Sequence, residues 1–149
     1  MKKLIILLLL SLLIFVPAVS ADEPPIVATG GITFYYNEFI GRDLKCDGYK
    51  YEEETGPWIA VDISWYTNGW VECGDPFLII FSDGSTMVAR ALDSGYLDYR
   101  LWPDTPPALG TDLPFVADLP IYWREGRKTE IGTIINLNEY QGIMKEKPY

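Results

Sequence analysis

The sequence of 149 residues contains no histidine and only two cysteines. Histidine is the usual general base near neutral pH and, together with cysteine, the usual ligand of zinc. A zinc enzyme or a histidine-dependent catalyst is therefore not expected, and no other metal or cofactor is implied. Basic residues are also scarce, since 12 lysines and arginines are outnumbered by 21 aspartates and glutamates, for a net charge of −9. This excess of negative charge argues against nucleic acid and anionic lipid as partners.

Long apolar runs are lacking too, except at the N-terminus, where residues 4–16 are almost entirely apolar and follow two lysines. Val19 and Ala21 supply the small residues of a cleavage site, and the run is short for a membrane span. We interpret residues 1–21 as a signal peptide and residues 22–29 as a leader. An uncleaved N-terminal anchor is the alternative. After cleavage the protein is expected to be secreted or extracytoplasmic, in the periplasm or cell wall, without membrane contact.

The two cysteines, Cys46 and Cys73, would then lie in an exported chain. Cysteines of exported proteins are usually paired, because the compartment is oxidising. We predict one disulfide between them, which would stabilise the fold by about 3–4 kcal/mol because it closes a long loop of the unfolded chain. The alternative is a pair of free thiols.

Helical periodicity is almost absent, whereas 13 glycines and 11 prolines separate short runs rich in Val, Ile, Tyr, Trp and Thr. Short runs of such residues separated by glycine and proline are typical of an all-β protein. The clearest element is a hairpin, because Asp83 and Gly84 lie between two apolar runs at residues 77–81 and 86–92. Its first arm is apolar throughout, so we expect it to be buried on both faces, as in a closed barrel.

The fold class that we predict is all-β, with a six-stranded barrel in a single domain over residues 30–140. Its one long loop, residues 97–114, holds four prolines and Trp102, and loops of that length are usually functional. Residues 63–69 are expected to form a turn or short helix, and residues 141–149 to fray as a C-terminal tail. A monomer is expected. Besides the hairpin, strands are predicted at 32–36, 58–62 and 132–137, and residues 115–120 are expected to return to the core.

Asp93 follows the second arm of the hairpin and is the first candidate for chemistry. It comes after apolar and small residues, so its carboxylate should lie at the edge of the core, where a proton donor is well placed. Ser94 and Gly95 follow it and predict a tight turn that allows another part of the chain to approach closely. The alternative is that Asp93 only caps this turn through backbone amides.

The order of several motifs resembles that of double-psi β-barrel proteins, which include rare lipoprotein A, expansins, barwins and the family 45 endoglucanases. Residues 31–36 (GITFYY) resemble their G-x-A-T-Y-Y opening, and residues 59–75 (IAVD, WY, G and CGD in that order) resemble their AAx…LY…G…CG segment. Residues 91–95 (ALDSG) look like the D-R-G-P of rare lipoprotein A and the D-T-G of MltA-type lytic transglycosylases and the three-aspartate domain. Residues 116–119 (VADL) look like the D-L-S that follows, and residues 132–137 occupy the place of the closing strand.

This resemblance covers about residues 30–138 and implies a polysaccharide partner, peptidoglycan or another wall glycan. It gives a catalytic role to Asp93 through the MltA-like pattern, and to Asp118 through the D-L-S position, which looks like that of the catalytic acid in family 45 enzymes. Rare lipoprotein A has a histidine where this chain has Asp62, and a proline where it has Tyr96. Its acid–histidine pairing is therefore not carried over, and Asp62 is a third candidate for catalysis or substrate orientation.

The activity that we expect is lytic-transglycosylase-like cleavage of peptidoglycan, with Asp93 as general acid and base. One acid suffices there, because the muramic sugar's own hydroxyl attacks with the advantage of proximity. Hydrolysis needs a second carboxylate, so the alternative enzyme is a family 45-like glucan hydrolase that uses Asp93 or Asp62 with Asp118. Outside the enzymes, the sequence is also compatible with a non-catalytic expansin- or barwin-like polysaccharide-binding module, or with a plain structural or inhibitor-like secreted domain.

Aromatic side chains near these acids are candidates for stacking on sugar rings, although core packing is the commoner role of any aromatic residue. Tyr96 and Trp102 are the best placed, because they belong to the stretch that follows Asp93. The full set of candidate substrate-binding residues is Tyr36, Trp65, Tyr66, Ser94, Gly95, Tyr96 and Trp102.

Overall fold

The structure is a computed structural model that describes residues 27–35, 40–52, 55–120 and 128–146. The predicted signal peptide and the candidate residue Tyr36 lie outside the described residues. The strands are β1 (Val27–Tyr35), β2 (Trp58–Asp62), β3 (Pro76–Ile80), β4 (Thr86–Gly95), β5 (Phe115–Pro120) and β6 (Glu130–Asn136). Two short helices, α1 (Ile63–Thr67) and α2 (Leu137–Glu146), and one 3₁₀ segment (Ala108–Gly110) complete the described elements.

The six strands close into a barrel in the order β1-β5-β2-β4-β3-β6. β1 runs parallel to β5 and β2 runs parallel to β4, whereas the other four neighbouring pairs are antiparallel. Closure gives each of these six described strands a neighbour on both sides. The prediction of an all-β, six-stranded barrel in a single domain is confirmed, and the long loop lies between β4 and β5 as expected.

Two apolar clusters lie on opposite sides of the barrel wall. Alternate strand residues fill the interior. This interior cluster includes Ile32, Ile59, Ile79, Ala91, Leu119 and Ile134, each at most 1% exposed. The second cluster lies where residues 40–52, which we name the covering segment, pack over β2 and β4. It contains Leu44, Cys46, Tyr51, Trp58, Ala60 and Leu92.

The strand that is buried on both faces is β2, not the first arm of the hairpin. All five residues of β2 are buried, because the barrel interior lies on one side and the covering segment on the other. In β3, Phe77 and Ile79 are buried, but Leu78 and Ile80 are only half-buried. The prediction for the first arm is therefore wrong, since its outer face is covered only in part.

The tight turn predicted at Ser94 and Gly95 is also wrong, because both residues belong to β4. Ser94 pairs with Val61 and Gly95 pairs with Asp62, so the parallel ladder with β2 continues to the end of both strands. The register shifts between Ile59 and Ala60. Such a bulge changes which side chains of β4 face outward.

Regular secondary structure extends beyond residues 30–140, the predicted limits of the barrel domain, at both ends. β1 begins at Val27, inside the stretch that we assigned to a leader, because its first residues pair with β6. At the other end, α2 reaches Glu146 where we expected fraying. The side chain of Asn136 accepts a hydrogen bond from the backbone N–H of Asn138 (3.0 Å), which satisfies one of the free amides at the start of this helix.

The predicted disulfide between Cys46 and Cys73 is present, with Cα atoms 5.7 Å apart. It links the covering segment to the loop that follows α1. Within the part of the chain that the structure describes, no helix has the length and apolar character needed to cross a lipid bilayer.

Candidate active site

The strand register brings two acids into one row. Asp93 of β4 pairs with Ala60 of β2, and Ala60 also pairs with Asp118 of β5. Asp118 pairs in turn with Thr33 of β1. Directly paired residues of adjacent strands point to the same face of a sheet. We name Asp93, Ala60, Asp118 and Thr33 the acidic row. It lies on the outer side of the barrel, because Ala60 belongs to the outer apolar cluster.

The small side chain of Ala60 separates the two acids. Two inter-strand spacings place the Cα atoms of Asp93 and Asp118 roughly 10 Å apart. At that distance the two side chains lie on the same face of the sheet, and the negative charge of Asp93 acts on Asp118. The methyl group of Ala60 takes up little of the space between the carboxyl groups.

Asp118 has the environment of a carboxyl group that holds a proton near neutral pH. Its Oδ1 atom is buried and accepts no hydrogen bond from the described residues. Burial is the main cause that raises the pKa of Asp118 to about 7, and the charge of Asp93 also raises it. A hydrogen bond from the side chain of Thr33 lowers the pKa in part. A carboxyl group with a pKa close to the working pH is suited to give up and recover a proton.

Asp93 is held at the other end of the row by the covering segment. It is 7% exposed, and its Oδ1 accepts a hydrogen bond from the backbone N–H of Lys45 (2.9 Å). The next residue, Cys46, donates its backbone N–H to the carbonyl oxygen of Leu92 (3.0 Å) and forms the disulfide with Cys73. Asp93 therefore does accept a backbone amide, but the amide comes from the covering segment and not from a turn after Asp93.

Tyr66 of α1 lies beside Asp93. Burial, followed by the negative charges of Asp93 and Asp75, raises the pKa of Tyr66 far above its usual range, so the hydroxyl keeps its proton. The Lys45 Nζ lies 4.7 Å from the centre of the Tyr66 ring, within the range of a cation–π contact. The Tyr66 hydroxyl is buried without a hydrogen-bond partner among the described residues. Because the hydroxyl is shielded from solvent, Tyr66 forms part of the wall next to Asp93.

Asp62 is 2% exposed and surrounded by donors. Its Oδ1 accepts the backbone N–H of Ser64 (2.9 Å) and so caps α1. Its Oδ2 accepts the backbone N–H groups of Leu97 and Asp98 and the indole N–H of Trp102, each at 2.9 Å. Burial alone would raise the pKa of Asp62, but the hydrogen bonds outweigh it and the pKa is lowered. A carboxylate engaged in this way orients a loop and has little capacity left to transfer protons.

Tyr96 and Trp102 come together on the loop that Asp62 holds. Their rings meet edge to face, with centroids 4.8 Å apart. The Tyr96 side chain is 62% exposed, whereas Trp102 is half-buried. An exposed aromatic ring that packs against a fixed one is a surface on which a flat apolar ligand face can stack.

The remaining candidate substrate-binding residues have different positions. Trp65 is a core residue, 9% exposed and stacked on Phe77 with ring centroids 6.5 Å apart. Ser94 and Gly95 are half-buried within β4. The structure therefore brings Asp93, Asp118 and Tyr66 together, and it groups Tyr96 and Trp102 separately, around Asp62.

A cleft of about 640 Å³ opens at the end of the barrel, where β2 ends and where β1 and β5 begin. Its lining includes Asp62, Trp65, Trp70 and Phe115, and it includes neither Asp93 nor Asp118. The acidic row differs from this cleft because it combines two acids paired through Ala60 with a raised pKa. The two are close nonetheless, since Asp62 lies two residues beyond Ala60, or about 7 Å along β2.

Two residues of the site were not identified from the sequence. Lys45 holds Asp93 through its backbone amide, and the only sequence signal was its place next to a cysteine of the predicted disulfide. Thr33 lies at the end of the acidic row through the parallel pairing of β1 with β5. That pairing joins strands that are far apart in the chain, so no local pattern indicates it.

Within the described residues no group of three or more histidine, cysteine, aspartate or glutamate side chains is arranged to bind a metal ion. What the row offers chemically is one carboxyl group with a pKa of about 7, that of Asp118, and the carboxyl group of Asp93 beside it. The sequence was also compared with protein-family models and with curated proteins, and neither comparison gives a match.

Proposed function

We propose that this protein is an exported double-psi β-barrel enzyme that cleaves glycan chains of the bacterial cell wall, with Asp118 as the proton donor and Asp93 as the second carboxylate. The observation that carries the proposal is the pairing of both acids with Ala60, together with the pKa of Asp118 near 7. The closed barrel of parallel and antiparallel neighbours is compatible with the double-psi fold. The disulfide supports an oxidising compartment.

In the proposed reaction, Asp118 gives its proton to the oxygen of the glycosidic bond as that bond breaks. Positive charge then develops on the sugar, and the negative charge of Asp93 stabilises it. A water molecule enters between Asp93 and the sugar, and Asp93 takes up a proton from this water as the water attacks the sugar carbon. The two carboxyl groups then act as acid and base, as in an inverting glycosidase.

Lytic-transglycosylase action is the second candidate, and it is favoured by residues 91–95, whose sequence resembles the D-T-G pattern of MltA-type enzymes. In that case a single acid protonates the leaving oxygen, and the neighbouring hydroxyl of the substrate replaces water as the nucleophile. The resemblance of residues 91–95 gives this single acid the position of Asp93. The pKa near 7 belongs to Asp118 and supports the hydrolytic reaction instead.

In the test, purified sacculi are incubated with a protein that consists of residues 22–149, and the released products are identified by mass spectrometry. Reducing-end products indicate hydrolysis, whereas anhydro sugars indicate transglycosylation. We expect activity to fall as the pH rises through about 7, where Asp118 loses its proton. Asp118→Asn should reduce the rate by roughly 100-fold or more, on the order of the contribution of one general acid.

Asp93→Asn should also abolish hydrolysis, and Glu139→Gln, which changes an exposed acid on α2, is the matched control. Product release by Asp118→Asn at the wild-type rate contradicts the proposal. Sedimentation with sacculi in the absence of any released product contradicts it too, and indicates a binding module instead.

A further inference from the structure

The loop after β4 carries an aromatic surface that is separate from the acidic row. We name Tyr96, Trp102, Pro103, Asp104 and Thr105 the aromatic shelf; these residues line a shallow pocket of about 360 Å³. The Tyr96 ring is exposed, and the Thr105 hydroxyl donates a hydrogen bond to the backbone carbonyl of Tyr96 (2.8 Å). Large aromatic rings that are exposed yet held in place are typical of binding surfaces.

Asp62 holds the residues of this shelf in place through hydrogen bonds. One oxygen of its buried carboxylate accepts three N–H groups from residues 97–102, including the indole N–H of Trp102. Hydrogen bonds to a charged acceptor are stronger than neutral ones. The Trp102 ring, and with it the edge-to-face contact to Tyr96, is therefore set before any ligand arrives, which lowers the entropic cost of binding.

The strand register gives the place of the shelf relative to the acids. Gly95, the residue before Tyr96, pairs with Asp62, and Asp93 pairs with Ala60. The shelf therefore begins two to three residues beyond the acidic row, or roughly 7–10 Å along the strands. A ligand that reaches both the row and the shelf must be an extended chain.

We infer that the aromatic shelf is a subsite for an uncharged sugar unit of a polysaccharide chain, and that Asp62 is its positioning residue. The inference rests on the proposed function for the identity of the polymer as a glycan. A pyranose ring has a face of C–H groups that can lie on Tyr96, and hydroxyl groups that Asp104 and Thr105 can bind. Asp104 at the rim and the net charge of −9 oppose an anionic group at this position.

The inference is tested by titrating the purified protein with chitohexaose and, in parallel, with cellohexaose, following tryptophan fluorescence and calorimetric heat. We expect Tyr96→Ala to weaken binding about tenfold, as loss of one aromatic contact does. The matched control is Tyr140→Ala, which removes an exposed tyrosine of α2 and should leave the affinity unchanged. Equal affinity of the wild type and Tyr96→Ala, or no binding of either oligosaccharide, overturns the inference.

The positioning role of Asp62 has its own readout. Asp62→Asn should weaken the binding of hexasaccharides, because it removes the acceptor that holds the Trp102 indole N–H. Combined with Tyr96→Ala it should cause no further loss, because the two changes disable the same surface. Trp102→Phe keeps a smaller aromatic ring and removes the N–H bonded to Asp62, so it serves as a second variant if Asp62→Asn folds poorly. Additive losses contradict the positioning role.

The inference and the proposed function can fail separately. If Asp118→Asn and the wild type both release nothing from sacculi, but Tyr96→Ala still weakens oligosaccharide binding, the cleavage proposal is refuted and the shelf stands. If cleavage depends on Asp118 while Tyr96→Ala changes neither oligosaccharide binding nor KM, the subsite inference is refuted and the cleavage proposal stands.

Discussion

At the scale of single residues, the properties of the three candidate acids follow from what each carboxyl group is bonded to. Asp118 has a buried oxygen that accepts no hydrogen bond from the described part of the chain, and its pKa is raised. Asp62 is also buried but accepts four hydrogen bonds, and its pKa is lowered. Burial therefore does not decide the protonation state by itself, because hydrogen bonds can outweigh it, as they do at Asp62.

One prediction at this scale concerns the stability of Asp118→Asn. Because the pKa of Asp118 is about 7 in the folded state against an ordinary value of 3.8, the folded chain binds more protons than the unfolded chain between these pH values. Wild-type stability contributed by this group therefore falls as the pH rises through that window. The variant cannot ionise at this position, so it should be more stable than the wild type at pH 8, on the order of 2–4 kcal/mol.

Urea unfolding at pH 4 and pH 8 measures this difference, and the two proteins should be nearly equally stable at pH 4. Glu72→Gln, which changes an exposed acid, should show no such pH dependence relative to the wild type. A variant that is less stable than the wild type at pH 8 would mean that Asp118 is stabilised as a carboxylate.

At the scale of elements, the covering segment is the part of the chain that completes the site. It contributes the Lys45 amide to Asp93 and Leu44 and Tyr51 to the outer apolar cluster. As described, these residues form no strand or helix of their own and hold one isolated bridge, between Asp43 and Lys50. The position of the segment therefore depends on the disulfide at Cys46 more than that of a regular element would.

The prediction at this scale is the effect of Cys73→Ala, which opens the disulfide at its exposed end and leaves the buried sulfur of Cys46 in place. Loss of the cross-link should lower the free energy of unfolding by about 3–4 kcal/mol. Glycan cleavage should fall as well, because the Lys45 amide is then less firmly held against Asp93. Urea unfolding and the sacculus assay measure the two effects, and full activity in the variant would show that the covering segment keeps its position without the disulfide.

At the scale of the whole molecule, the barrel is closed by strands that are distant in sequence. β1 is hydrogen-bonded to β5 on one side and to β6 on the other, and β6 also pairs with β3. The site depends on this closure, because the acidic row crosses β1, β5, β2 and β4. Contacts between such distant segments form late and slowly in folding.

The corresponding prediction compares two truncations. A chain that ends at residue 128 lacks β6 and leaves β1 and β3 with open edges, so it should show no cooperative unfolding. A chain that ends at residue 140 keeps all six strands and loses residues 141–149, which include six of the ten residues of α2, so it should unfold cooperatively at a lower urea concentration. Circular dichroism during urea titration distinguishes them; cooperative unfolding of the shorter chain would show that the barrel does not need its closing strand.

The sequence by itself determined the class of fold, the hairpin at Asp83 and Gly84, and the disulfide, because these follow from local turn chemistry, composition and the pairing of two cysteines. It also singled out Asp62, Asp93 and Asp118, but it did not distinguish their environments. Only the tertiary structure decided that Asp93 and Asp118 share a row through Ala60, and that Asp62 holds a loop. The physical reason is that strand register, burial and hydrogen-bond donors all come from segments remote in the chain, and these set the protonation state of each carboxyl group.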